Sequence, residues 1–227
     1  MNLPFTIDEF FNVIKSYNLS IFPLQIIFNI IALFCLYLIL SKQNSRNKIV
    51  PLILSFFWIW MGIVYQLIFF TAINKAAYLF GFLFIIQGIL FFFFGVIKDK
   101  FSFEYQNNTF NYFGLVFILY ALVIYPVLGL LLNHQYPFSP TFGLPCPTSI
   151  FTFGILLLIN KRIPVLLLII PFIWAIIGFG AALKLSVYED YGLLIAGIIG
   201  FILLVISNKS LLIEINKEIT KTDTTYE

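Results

Sequence analysis

The chain alternates long apolar runs with short polar breaks, and the runs have the length of membrane crossings rather than of strands or core helices. Judged against about 20 apolar residues per crossing, spans are predicted at Ile21–Leu40, Ile49–Thr71, Ala77–Ile97, Tyr112–Leu132, Thr148–Asn160, Pro164–Leu183 and Tyr191–Ser207. Charged loops separate several of them, at Ser41–Lys48, Lys98–Asn111, Lys161–Ile163 and Lys184–Asp190. Ahead of the first span, Phe5–Tyr17 has a helical stripe of Phe10, Phe11, Ile14 and Tyr17. Thr6 and Glu9 have capping-box spacing there, and Phe5 with Phe10 has staple spacing. That segment is too short and too polar to span, so an interfacial helix is expected. The pattern predicts an all-α, polytopic transmembrane helical bundle: one domain over residues 1–207, then a polar cytoplasmic tail, 208–227, that forms a short helix and frays.

Composition changes the picture little. The chain is 61% hydrophobic and 10% charged, where soluble domains carry about 25% charged residues. No basic stripe could track a phosphate backbone, which argues against a nucleic-acid partner. Asp8 and Glu9 stand where a signal peptide would be positive, so a cleaved leader is not expected.

Charge position sets the orientation. Alternate loops place Lys42, Arg46, Lys48, Lys98, Lys100, Lys161, Arg162, Lys209, Lys217 and Lys221 on one side, and Lys15, Lys75 and Lys184 on the other. By the positive-inside rule the first side is cytoplasmic, with the N-terminus outside and the C-terminus inside. The short fifth span is needed to keep this alternation.

Chemistry within the spans is sparse. None contains Asp, Glu, Lys or Arg, which lowers the case for proton pumps and voltage sensors. Cys35 lies in an apolar run and Cys146 in a Pro-rich loop, so no disulfide is expected. His134 is the one histidine, and the chain offers no four-ligand metal set. Nothing in the sequence calls for a metal or another cofactor.

The uncharged polar residues cluster at one depth. Gln25 and Asn29 are four residues apart in the outer part of the first span, Gln66 and Tyr65 lie in the outer third of the second, Gln87 near the middle of the third, and Tyr125 in the outer half of the fourth. The inner halves are almost entirely Phe, Leu, Ile and Val. Such amides also serve as plain interhelical hydrogen bonds, worth ~0.6 kcal/mol each on average. The segment His134–Gly154 carries Pro137, Pro140, Pro145 and Pro147 and cannot stay helical until about Pro147 or Thr148. A helix from Thr148 to Asn160 would be about 20 Å long, too short for a core of about 30 Å. Its N-terminus would then sit below the surface and offer free N–H groups to a carbonyl or anion. Gly178 and Ala182, and Gly192, Ala196 and Gly200, have small-xxx-small spacing and predict a tight pair of the last two spans. The 29 Phe read as lipid-facing bulk, and Trp58 and Trp60 have no assigned role.

The stretches NKAAYLFGFLFIIQG (Asn74–Gly88) and YPVLGLLLNHQYPFSPTFGLPCPTSIFTFG (Tyr125–Gly154), with the opening PFTIDEFF (Pro4–Phe11), resemble a family of uncharacterised bacterial multi-pass inner-membrane proteins, a domain of unknown function whose members are sometimes labelled permeases. The resemblance covers almost the whole chain. It implies a single membrane domain in a bacterial cytoplasmic membrane and brings no catalytic residues.

Three functions are weighed. The leading one is a permease-like or solute-binding protein with an outward-facing pocket lined by Gln25, Asn29, Gln66, Gln87 and Tyr125, with His134 and Thr148 at its mouth, for a small neutral or anionic solute. The alternative is an accessory or assembly subunit that binds other membrane proteins. Last comes an intramembrane enzyme using His134 with Glu189 or Asp190, which lacks a nucleophile. A non-enzymatic role is therefore expected.

Overall fold

A computed structural model describes residues 3–223, with side chains through residue 211. The expected tail, 208–227, falls partly beyond this range, as do the side chains of Lys217 and Lys221. Up to Asp223 the tail continues the last helix without a break.

Among the described residues eight helices form the bundle. Helix α1 is Ile7–Ile21 and α2 is Leu24–Leu40. Helix α3 runs Arg46–Ala72, α4 Ala77–Ile97 and α5 Thr109–Leu131. The short α6 is Pro145–Leu156, α7 is Leu166–Leu185 and α8 is Tyr191–Asp223, entered through a 3-10 turn at Tyr188–Asp190. Five stretches are long and apolar enough to cross a membrane, and the pair α1 and α2, bent by 82°, makes a sixth if counted as one span. Three of the helices loosen into wide π turns, at Met61–Phe69, Phe92–Ile97 and Tyr120–Ile124.

Local chemistry explains α1. The Thr6 hydroxyl accepts from the Glu9 N–H at 3.2 Å, and Thr6 N–H donates to Glu9 Oε2 at 2.7 Å. The Thr6 N–H and the Thr6 hydroxyl, which donates to the same Oε2 at 3.0 Å, hold the exposed Glu9 carboxyl below its usual range. The Phe5 and Phe10 rings stack at 6.2 Å, closing the staple. The helix is less superficial than its sequence suggests. Tyr17 and Asn18 are fully buried, and the Tyr17 hydroxyl donates to Gly143 O and accepts from Trp60 Nε1. Trp60 thus anchors α1, while Trp58 donates to the Thr152 hydroxyl on α6.

Helix α6 is the pillar of the molecule. It starts at Pro145, earlier than Thr148, because prolines in a first turn forfeit only N–H groups that have no helical partner. Every residue from Pro147 to Leu156 is buried, and α5, α7 and α8 pack around it. Contact with α5 is backbone to backbone: a Cβ on Gly154 would stand 2.8 Å from Gly114 O. The small-residue stripe of α8 belongs here too. A Cβ on Gly200 would meet Phe153 of α6 at 2.8 Å, and one on Gly192 would meet Tyr120 of α5 at 2.3 Å. Helix α8 meets α7 instead through Gly197 against Ala175 and Leu193 against Gly178. The last two spans do pair closely, as expected, but the stripe of α8 is shared among neighbours: Gly200 faces α6 and Gly192 faces α5.

The two ends of the bundle differ. One end gathers the loops after α2, after α4 and after α6, with Lys42, Arg46, Lys48, Lys98, Lys100, Lys161 and Arg162; we call it the basic end. There Phe103 bridges to Ile159, Arg46 Nε donates to Phe103 O, and Asn208 bonds both the N–H and the C=O of Ile163. The opposite end gathers α1, the turn after α3, the Pro-rich segment and the 3-10 turn. Asn18 ties α1 to that segment, donating to Pro137 O and Ser139 O.

Candidate ligand-binding cavity

At the end opposite the basic loops the bundle is hollow. A cavity of about 590 Å³ lies between α1, the upper parts of α3, α4 and α7, and the start of α6. That volume is within the ~300–1,000 Å³ range of small-molecule sites. Its walls are apolar, built from Phe5, Phe10, Phe70, Phe80 and Leu144 among others. Polar chemistry is confined to a few groups: Asp190, Cys146, Tyr65, Tyr125 and the Trp174 indole, with Asn74 and the exposed Lys184 on the wall nearer solvent.

Each polar group is placed by local backbone. The left-handed Ser186 ends α7 and lets the chain turn through Val187 into the 3-10 turn, which carries Glu189 and Asp190 inward, 0% and 5% exposed. Asp190 accepts from the Tyr125 hydroxyl at 2.5 Å. Glu189 takes the other direction and pairs with His134 Nδ1 at 2.8 Å. Cys146 sits between the two first-turn prolines of α6, a free thiol beside the cavity. Trp174 holds its ring edge-on to Phe80 and Phe84, and its Nε1 has no hydrogen-bond partner although the residue is 8% exposed.

The residues singled out from sequence are dispersed. Gln25, Asn29 and Tyr125 share a second, smaller cavity of about 330 Å³, between α2, the middle of α5 and the Pro-rich segment. Tyr125 and Pro140 form the wall between the two cavities. Gln25 Nε2 donates to Asn18 O, Asn29 donates to Gln25 O, and Gln25 Oε1 has no partner. Gln66 is fully buried with neither amide atom bonded, and lines neither cavity. Gln87 straps α4 to α7 by donating to Leu167 O at 3.0 Å. His134 lies against the Phe11 ring and Glu189, outside both cavities. Thr148 is fully buried, its hydroxyl accepting from Gly143 N–H at 3.1 Å.

The helix N-terminus expected to attract an anion is poorly equipped for one. Pro145 and Pro147 carry no N–H, and Thr148 N–H already bonds Leu144 O at 3.3 Å. Asp190 adds an acidic group on the cavity wall. Trp174, inside an apolar run, escaped the sequence reading, and Asp190 entered it only as a loop carboxylate for His134 in the enzyme alternative, not as part of the pocket. The one available signal was the pair Glu189–Asp190 at the foot of a span, costly to bury without partners.

No curated protein and no solved structure matches the chain. A family model matches residues 7–215. By that match the chain belongs to DUF6064, a family of unknown function.

Proposed function

We propose that this is a solute-binding, permease-like protein of a bacterial cytoplasmic membrane, with its N-terminus and its large cavity facing outward. The observation that carries the proposal is the cavity itself: a chamber of about 590 Å³ at the end opposite the basic loops, at the head of the wholly buried α6. The positive-inside rule puts the basic end in the cytoplasm. A buried pillar with Leu and Phe beneath the chamber favours binding over free conduction, because a hydrated route needs polar lining in both leaflets. The apolar walls favour a solute with an apolar body, and Asp190 counts against the anionic option.

Labelling of single cysteines in intact cells tests this. On a Cys35→Ser, Cys146→Ser background, Gln135→Cys should react with a membrane-impermeant thiol reagent, and Ser45→Cys only after permeabilisation. With Cys146 restored and Cys35→Ser kept, the native thiol should react from outside, more slowly than the exposed position 135. Labelling of Ser45→Cys in intact cells, with Cys146 reached only from the cytoplasm, would overturn the outward cavity.

A further inference from the structure

The geometry points to a neutral, hydroxyl-bearing amphiphile as the occupant of the large cavity, taken in sideways from the lipid between α4 and α7. This deepens the binding proposal above and rests on it. Two independent features converge on the head group. Asp190 lines the cavity as a hydrogen-bond acceptor. Trp174, itself more than nine-tenths buried, presents an indole N–H with no well-formed hydrogen bond, the weakly accepting Cys146 sulfur lying beside it. Its Nε1 lies 3.7 Å, and the Cys146 sulfur 3.8 Å, from where a Cβ on Gly178 would stand, and all three residues line the cavity. A donor without an acceptor costs about 1–3 kcal/mol when buried. One hydroxyl answers both groups, accepting from the indole and donating to the carboxyl. A quaternary ammonium offers the indole no acceptor, and a carboxylate would face Asp190.

The direction of entry follows from how α4 and α7 meet. Toward the basic end they are joined by the Gln87 strap to Leu167 and by Phe84 packed on Trp174, with centroids 4.9 Å apart. Beyond Trp174 they separate around the cavity, which reaches Ile176 and Ile177, 51% and 39% exposed. Gly180, also on the rim, has nothing within 4 Å of where its Cβ would be. In a bilayer these rim residues face acyl chains, so an amphiphile reaches Asp190 without leaving the lipid.

The native Cys146 reports occupancy. With the Cys35→Ser protein in lipid nanodiscs, the rate of alkylation by N-ethylmaleimide is followed by mass spectrometry against dodecan-1-ol, dodecane, dodecanoate and dodecyltrimethylammonium. Dodecan-1-ol is expected to slow alkylation at a concentration about fivefold below any of the others, the gain of one net hydrogen bond. Trp174→Phe, which keeps the ring and loses the N–H, should remove that advantage. Asp190→Asn should weaken it, since an amide accepts less strongly than a carboxylate. Equal protection by dodecane, or stronger protection by dodecyltrimethylammonium with no effect of Trp174→Phe, would overturn the hydroxyl assignment and leave the binding proposal standing. Unchanged alkylation with all four compounds would overturn both.

Discussion

The basic end and the cavity end are made of similar helices, yet they use polar side chains in opposite ways. At the basic end nearly every buried polar group closes on a loop. Asn111 donates to Leu157 O, Asn160 to Glu104, and Asn47 accepts from Phe103 N–H. Among the described residues Asn160 Oδ1 is left without a partner there, and Gln87 Oε1 midway along the bundle. At the cavity end and just below it, Gln25, Gln66, Trp174 and Glu189 all bury at least one unpartnered atom. Each such atom costs about 1–3 kcal/mol. One end is therefore built to shut, and the other tolerates a polar cost that a purely structural bundle would avoid. Sites that bind something carry that kind of cost.

Packing should break first at the shut end. Gly154→Leu would drive a side chain into Gly114 O and Ile118, which already stand 2.7–2.8 Å from a bare Cβ. Overpacking of this kind typically costs 1–3 kcal/mol, and roughly that or more is expected here because one contact is backbone. Folded protein recovered by size exclusion should fall sharply. Gly180→Leu, on the open rim with no neighbour within 4 Å, should leave both yield and melting temperature unchanged. Equal tolerance at the two positions would erase the contrast in packing.

Hydrogen bonding should separate the ends less sharply. Asn208→Ala removes both bonds to Ile163 and strands its N–H and C=O. Membrane hydrogen bonds average ~0.6 kcal/mol and reach ~1.7, so a loss of about 1–2 kcal/mol is expected. Gln25→Ala removes one bond to Asn18 O and, with it, the unpartnered Oε1. Its cost should be less than half of that, read as a smaller drop in melting temperature in the same detergent. A larger drop for Gln25→Ala would mean that the cavity end is sewn as firmly as the basic end.

Helix class and the alternation of loops were legible because hydropathy and charge act over whole segments. The first helix was readable through its capping box and staple, though burial of Tyr17 and Asn18 was not. The close pairing of the last two spans and the stripe Gly192, Ala196 and Gly200 were visible, but spacing cannot name the partner of each residue: Gly200 met α6 and Gly192 met α5. The depth of Gln25, Asn29 and Tyr125 pointed toward one cavity. It missed the larger one, whose key groups are a tryptophan inside an apolar run and an aspartate at a span boundary. Neither has a periodic signature; a turn at Ser186 and a splay between α4 and α7 bring them together. The π turns were equally hidden, since they arise from how neighbours pack rather than from propensity.

Gln66 gives a small effect but the sharpest sign. It lies in the π turn Met61–Phe69 of α3, fully buried, with both Oε1 and Nε2 unpartnered in the protein. Replacing a buried, unbonded amide by an apolar side chain of similar volume removes a desolvation cost and loses no bond. Gln66→Leu should therefore raise stability, by about 1 kcal/mol, seen as a higher melting temperature in detergent. Gln87→Leu is the matched control. It also removes an unpartnered oxygen, but it gives up the donor bond to Leu167 O, so its change should lie close to zero. A fall in melting temperature for Gln66→Leu would mean that water or a bound molecule satisfies the amide, and the polar reach of the cavity end would then take in the buried face of α3 beside Tyr65.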